Sequence, residues 1–283
     1  MENTVEIGLT NGQGFRAWLM TEKGLSENWA KNTSWYVNRL LVREDVPFPE
    51  KTDAEALAFK LLQSDVSKSH KRNMLTAIDH YMQYIGKPVH FKKPTKGKRL
   101  PRYLTQEELR KLVRSARNYR EFALLTVFCT TGLRLNEVRM LDLGNVSFAR
   151  RTITVRCAKL SRDREVPMSE DCERVLRAYI DRYFDKAGRI PSAPLFKSLR
   201  GTRASPHAIS DVVRKCARRA ELNQRVSPHV LRHSFATAMI GNGCDLFHLS
   251  DILGHTNIET TTIYLHINDD ARRQAFEKGV PRI

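Results

Sequence analysis

Apolar residues recur at steps of three and four positions along most of the chain, which is the spacing that places them on one face of a helix. Before residue 86 this spacing predicts four helices, at 15–19, 35–41, 53–62 and 69–85. The last is the clearest, because Met74, Ile78, Tyr81 and Met82 would form one apolar stripe. We therefore expect a helical first domain over residues 1–86.

The segment 86–102 breaks this pattern with glycines and prolines, and all of its charged residues are lysine or arginine. Its composition predicts a linker, assigned to residues 87–102, that leads to a second domain over 103–283. A linker that is only a tether more often mixes both signs of charge. A cationic one gains affinity for a sugar-phosphate backbone by releasing counterions.

The second domain is predicted to be helical with one β-hairpin. Thr105 has the setting of a capping box that opens a helix, and an apolar helix stops at Gly132. Ile153 and Val155 alternate with polar residues, as in a half-buried strand. The predicted strands span 151–157 and 164–168, and the predicted helices after Gly132 span 134–141, 172–184, 208–220, 228–240, 246–253 and 258–266. The fold class is mainly α with a small antiparallel β-sheet.

The chain carries 48 basic and 31 acidic side chains, a formal net charge of +17. Such a surface repels itself unless a polyanion neutralises it, which makes nucleic acid the first candidate partner. A membrane is a weaker candidate, since no stretch is apolar enough to span one and the basic residues are not gathered on one amphipathic helix. The start of the chain lacks an export signal, and the five scattered cysteines predict neither disulfides nor a zinc site, so we expect a cytoplasmic protein.

Two basic residues of the second domain have settings that suit an anion. Arg134 follows Gly132 at the start of a helix, where backbone amides and a guanidinium can point the same way. Lys159 lies in the predicted hairpin turn, and its flexible ammonium can reach a groove and protonate a leaving oxygen. The alternative for Lys159 is an exposed turn residue without a chemical role.

The stretch that begins with Ser227 and Pro228 predicts a capped helix that places His229 and Arg232 on one face. A histidine beside an arginine tends to stay neutral, as a base must. The alternative is a surface helix on which both residues are solvated.

Tyr264 is predicted to lie about two turns along a helix that Thr256 and Glu259 cap, after Gly254 has ended the preceding helix. Tyrosine has a free pKa of about 10 and is a poor nucleophile without cationic neighbours. For Tyr264 read alone, packing in the core is the default.

Together these stretches resemble the tyrosine recombinase (phage integrase) family, which includes the Xer recombinases and lambda-type integrases. The resemblance covers the second domain from about residue 104 to the end. By layout, the first domain and the linker look like the family's core-binding domain. The matching positions lie in TGLRLNEV, the hairpin, HVLRH, LGH and the final predicted helix, and are Arg134, Lys159, His229, Arg232, His255 and Tyr264.

The resemblance implies a site-specific DNA recombinase that cleaves and rejoins strands through a Holliday junction. Tyr264 would attack the scissile phosphate to give a 3′-phosphotyrosine and a free 5′-hydroxyl, while Arg134 and Arg232 bind the non-bridging oxygens. The other positions would have supporting roles: Lys159 protonates the 5′-oxygen, His229 is the general base, His255 bonds the phosphate, and Glu137 orients an active-site partner. No metal or other cofactor is implied.

The implied partners are double-stranded DNA with a specific recombination site and a homotetramer, joined through the C-terminal tail, on two such sites. The alternative is that the C-terminal tail is a frayed terminus that does not join protomers. Lys71 and Arg72 are either DNA contacts or a solvated face, and the full set of candidate DNA contacts is Lys71, Arg72, Lys92, Lys93, Lys96, Lys98 and Arg99. A type IB topoisomerase would share the nucleophile without exchanging partners, and a non-catalytic DNA-binding protein would explain the charge but not the six matching positions.

Overall fold

A computed structural model describes residues 13–43, 50–95, 101–156, 163–185, 189–198, 200–255 and 257–264. The chain forms two compact units, Met1–Lys98 and Arg99–Ile283. The boundary between the two units falls inside the predicted basic linker.

The described part of the first unit is built from helices. They are α1 (Gln13–Thr21), α2 (Glu27–Arg43), α3 (Lys51–Gln63) and α4 (Lys68–Tyr84). All four were predicted, but α2 begins well before the predicted start. Its buried face is formed by Ala30, Thr33, Ser34 and Val37, and Trp35 is 50% exposed. The apolar pattern therefore missed the first part of α2, where small and polar residues form the buried face.

The apolar stripe predicted for α4 is largely confirmed. Ile78, Tyr81 and Met82 are buried, and Leu75 is buried in place of Met74, which lies at the edge of the stripe. The helix begins where the Ser67 hydroxyl accepts the backbone N–H of the residue three positions later.

The second unit combines further helices with a small sheet. Its elements are α5 (Gln106–Arg114), α6 (Tyr119–Thr131), α7 (Leu135–Met140), β1 (Val146–Ser147), β2 (Thr152–Val155), β3 (Arg164–Pro167), α8 (Glu170–Tyr183), α9 (Pro206–Arg219), α10 (Pro228–Gly241), α11 (Leu246–Leu253) and α12 (Glu259–Thr262). The predicted capping box is present, since Thr105 and Glu108 exchange backbone-to-side-chain hydrogen bonds of 2.8 and 3.2 Å.

The sheet is antiparallel in the order β1-β2-β3, and Ile153 of β2 pairs with Val166 of β3. Ile153 and Val155 are both buried, as their alternation predicted. Strand β1 was not predicted, because two residues are too short to show alternation. The chain between β2 and β3 includes 157–162, outside the described residues.

The junction between α6 and α7 depends on Gly132, which has a left-handed φ of 64°. A Cβ atom here would lie 2.3 Å from the ring of Phe235 on α10, so no other residue fits without displacing that ring. The close approach brings the end of α6 against α10, which carries Arg232.

Candidate active site

Arg134 lies at the N-cap of α7, where its own backbone and its side chain both bind Glu137. Its N–H donates to Oε2 of Glu137 at 2.7 Å, and Nη1 donates to Oε1 at 2.9 Å. The guanidinium also donates to the carbonyls of Leu253 and Gly254, at 3.2 and 3.1 Å. These contacts hold Arg134 beside the end of α11.

Arg232 also lies beside the end of α11, and it is only 3% exposed. Nη1 donates to the carbonyl of Gly132 at 2.8 Å, and Nη2 donates to that of Leu253 at 2.8 Å. Burial, reinforced by the nearby positive charge of Arg134, lowers the pKa of Arg232 to about 10. The side chain therefore stays charged at neutral pH.

His255 follows α11 and contacts Arg232, with 2.9 Å between its Nε2 and Nη2 of the arginine. Because a guanidinium only donates, Nε2 must be the accepting nitrogen and Nδ1 must carry the proton. That Nδ1 lies 2.6 Å from the hydroxyl oxygen of Thr261. Burial and the charge of Arg232 lower the pKa of His255 to about 4, so the ring is neutral.

Tyr264 is 2% exposed and packs among residues of α10 and α11. Its phenol oxygen lies 2.8 Å from Nδ1 of His233. Burial raises the pKa of Tyr264, and the charges of Arg232 and Arg134 oppose that rise. The phenol is thus both a core residue and a neighbour of the arginine pair.

His229, the predicted base, is exposed at the start of α10. Its ring centroid lies 5.5 Å from that of His233, one helical turn further along. Both residues and Tyr264 are described, and no hydrogen bond joins His229 to the phenol among them. The structure thus pairs the phenol with His233, a different histidine from the one predicted, and the base role of His229 stays a prediction.

Glu137 joins Arg134 to Arg164, a residue that the sequence did not single out. Arg164, at the start of β3, binds Glu137 through two hydrogen bonds of 3.1 and 2.9 Å, and its side chain is 8% exposed. It also donates to the carbonyl of Ile252 at 2.9 Å. A Cβ on Gly254 would lie 2.8 Å from this guanidinium, so the glycine leaves room for it.

These contacts give the site an excess of positive charge. The carboxylate of Glu137 neutralises at most one of the three guanidinium groups gathered in this described part of the chain, those of Arg134, Arg164 and Arg232. Arg134 and Arg232 donate to the same carbonyl oxygen, that of Leu253, so the two guanidinium groups lie close together. A guanidinium has five N–H groups, so each retains donors beyond those used in these contacts.

For the segment that carries Tyr264, the structure corrects one expectation, and a second lies outside the described residues. The prediction that Tyr264 lies about two turns into a helix was wrong: α12 ends at Thr262, and Tyr264 lies in the turn that follows. The side chain of Asn257 accepts the N–H of Glu259 at 2.8 Å, and Thr256, the predicted cap, is not described. Lys159 also lies outside the described residues, between β2 and β3.

Some candidate DNA contacts of the first unit already have partners within the chain. Lys71 donates to the carbonyl of Leu62 at 2.6 Å, and Lys93 forms an ion pair of 2.5 Å with Asp79. Asp79 is 7% exposed at its side chain, so Lys93 serves first to neutralise a buried carboxylate. The remaining candidates are of three kinds: Arg72 is within 3.5 Å of the carbonyl of Pro94, Lys92 is exposed, and Lys96, Lys98 and Arg99 lie outside the described residues.

Sequence reasoning missed His233 and Arg164 for different reasons. His233 lies four positions after His229, the spacing that puts two residues on one helix face, so a signal was present. Arg164 opens a short strand, where nothing in the local pattern indicates its distant partner.

Within the described residues, no three histidine, cysteine or acidic side chains are placed to hold a metal ion. Over the same ranges, no helix is both long enough and apolar enough to cross a membrane.

The chain is similar to known proteins in both sequence and fold. The phage integrase family matches residues 102–271 of the chain. Over 263 residues the chain is 32% identical to the tyrosine recombinase XerA of Pyrococcus horikoshii, covering 91% of this chain and 89% of the relative.

Two solved structures are similar to this fold. The crystal structure of a XerA recombinase matches with a TM-score of 0.59 and 28% identity, over 97% of this chain and 100% of that one. A XerH site-specific recombinase bound to its difH substrate, in a pre-cleavage complex, matches with a TM-score of 0.69 and 20% identity, over 93% of this chain and 83% of that one. The second likeness is one of fold.

Proposed function

Because the chain belongs to the phage integrase family and is an enzyme of the tyrosine recombinase type, we propose that it cuts and rejoins DNA at a specific site with Tyr264 as nucleophile. The observation that carries this assignment is the convergence of Arg134 and Arg232 on one carbonyl, with Tyr264 packed against the helix that carries Arg232. A phosphodiester of DNA is an anion of the kind that these guanidinium groups bind.

In the proposed reaction a scissile phosphate binds to Arg134 and Arg232. The phenol oxygen of Tyr264 attacks phosphorus, the bond from phosphorus to the 5′-oxygen breaks, and that oxygen leaves as a hydroxyl after taking a proton. By the resemblance, Lys159 donates this proton. Attack of a 5′-hydroxyl from another strand reverses the steps and frees the tyrosine, so the energy of the broken bond is conserved in the phosphotyrosine.

The arginines act most strongly as negative charge grows on the non-bridging oxygens in the transition state. Glu137 orients Arg134 by binding its backbone and side chain together. We propose that His255 bonds the phosphate as well, although its Nε2 accepts a hydrogen bond from Arg232 in the structure. Bonding a phosphate oxygen therefore requires this ring to gain a proton or to exchange tautomers.

The proposed partner is double-stranded DNA, by analogy with the XerH recombinase that was solved on its difH substrate. We further propose that the basic linker follows the DNA backbone, that residues 265–283 join protomers into a tetramer on two sites, and that the enzyme works in the cytoplasm. The net charge of +17 supports DNA as the partner.

The test is strand exchange between two duplexes of different length that share a site captured by the protein from a randomised pool. We expect recombinant duplexes of new lengths to form in the presence of EDTA, because the built-in cations replace a metal. Relaxation of a supercoiled plasmid without exchanged products would indicate a topoisomerase. A gel shift without any cleavage would indicate a DNA-binding protein that is not an enzyme.

A further inference from the structure

Tyr264 has a histidine partner that the six family-like positions do not include. Nδ1 of His233 lies 2.8 Å from the phenol oxygen, within the range of a strong hydrogen bond. The two ring centroids are 5.7 Å apart, and His233 is itself half-buried. Among the described side chains, His233 thus touches the atom that is proposed to attack phosphorus.

The protonation states of the two groups favour a bond from the phenol to the histidine. Burial, together with the charges of His229 and Arg232, lowers the pKa of His233 to about 4, so the imidazole is neutral at pH 7. Burial raises the pKa of Tyr264, so the phenol keeps its proton. A neutral imidazole has one accepting nitrogen, and with Nε2 protonated Nδ1 can accept from the phenol.

We propose that His233 takes the phenol proton of Tyr264 as the phenol oxygen attacks phosphorus, and returns it when the strand is rejoined. This inference rests on the proposed function. In the forward step the proton passes from the phenol to Nδ1, the oxygen–phosphorus bond forms, and the bond to the 5′-oxygen breaks as that oxygen takes a proton from the general acid. In the reverse step His233, now cationic, protonates the departing tyrosine.

The surroundings of His233 predict that a bound phosphate makes it a stronger base. Its ionisable neighbours are His229 and Arg232 on its own helix and His255 after α11, while Arg134 at the start of α7 acts on the phenol that His233 contacts. The charge of Arg232 disfavours a proton on His233. A bound phosphate brings a negative charge that offsets the charge of Arg232, raises the basicity of His233 and so favours proton transfer from the phenol.

His229 has a supporting place in this scheme. It lies one turn before His233 with the rings 5.5 Å apart, and it is exposed where His233 is not. An exposed imidazole can exchange protons with solvent or contact a bound strand. Direct contact with the reacting oxygen belongs to His233.

The competing explanation is that His233 only holds the phenol in position. His233→Asn separates the two roles, because the asparagine oxygen lies close to the place of Nδ1 and still accepts a hydrogen bond, but it does not take a proton at these pH values. His233→Ala removes both roles. His207→Asn, at an 80% exposed histidine side chain on α9, is the matched control.

The measurement is the single-turnover rate of covalent adduct formation on a nicked duplex, selected by wild-type protein from a randomised pool, between pH 5 and 10. Thermal unfolding and DNA affinity are recorded for each variant as checks on folding. We expect His233→Asn to be slower at pH 7 by roughly 10²- to 10⁴-fold, as for loss of a general base. Its rate should rise with pH where the wild-type rate is flat, and added imidazole should partly restore His233→Ala.

If His233→Asn kept the wild-type rate and pH profile, the proposed proton transfer would be overturned, but the recombinase assignment would stand. Faster cleavage by His233→Ala would do the same, and would make His233 a brake on the phenol. Failure of wild-type protein to capture any duplex covalently would instead overturn the proposed function, and this inference with it.

Discussion

Replacing Arg232 with alanine is expected to slow covalent cleavage by about 10²- to 10³-fold or more, the loss that follows removal of a donor to transition-state charge. The side chain is 3% exposed and charged at neutral pH, and it donates to Gly132 and Leu253 from the middle of the site. Arg232→Lys keeps a charge but has neither the planar fork nor the reach for these acceptors, so we expect it to lose nearly as much.

The rate is measured under single-turnover conditions with saturating DNA, so that weaker binding is separated from slower chemistry. Arg174→Ala is the control, because Arg174 is a 78% exposed arginine on α8 that pairs with an exposed aspartate three positions earlier on the same helix. A wild-type cleavage rate for Arg232→Ala in folded protein would show that this guanidinium does not bind the reacting phosphate.

Replacing Glu137 with glutamine is expected to lower the free energy of unfolding by about 3–5 kcal/mol, the usual cost of leaving a buried charge without its partner. Arg164 is 8% exposed at its side chain and Glu137 is 14% exposed, so solvent cannot replace the lost carboxylate. The double variant Glu137→Gln, Arg164→Met removes both charges at nearly constant volume. We expect it to recover much of the lost stability but not the cleavage rate, since Arg134 stays unsupported.

The stability effect also predicts a pH dependence. Burial acts to raise the pKa of Glu137, but hydrogen bonds from Arg164 and Arg134 outweigh it and hold the pKa below the ordinary 4.5. The carboxylate therefore stabilises the fold above pH 4.5, and this contribution is lost as the pH falls through the lower folded value.

Chemical unfolding of wild type, both variants and a Glu107→Ala control, followed between pH 3 and 7, tests the contribution of Glu137 to stability. Glu107 forms an exposed pair with Lys111 on α5, so its loss should leave the unfolding midpoint almost unchanged. Equal midpoints for Glu137→Gln and wild type at pH 7 would mean that the buried pair does not hold the site together.

The local features of this site were predictable because each depends on neighbouring residues. Gly132 ends α6 with a left-handed φ, and Ser227 caps α10 with Pro228 in its first turn, as the sequence indicated. The alternation of Ile153 and Val155 likewise predicted a strand. In each case the hydrogen-bond partner or the buried face lies within a few residues of the signal.

The contacts that assemble the site were not predictable in the same way. Arg164 and Glu137 are 27 positions apart, and His233 and Tyr264 are 31 apart. No periodicity or cap joins such pairs, since the packing of several elements decides which charges meet. Lys93 illustrates the same limit, because its position in a basic linker indicated DNA while the fold pairs it with Asp79.

The role of Tyr264 as nucleophile is tested most directly by identifying the residue that becomes joined to DNA. Wild-type protein is trapped on a nicked duplex in EDTA, the adduct is digested with protease and nuclease, and the modified peptide is sequenced by mass spectrometry. We expect a nucleotide 3′-phosphate on Tyr264 and no adduct from Tyr264→Phe, a variant that keeps the buried ring. A nucleotide on any other residue, or an adduct that persists in Tyr264→Phe, would contradict this role of Tyr264.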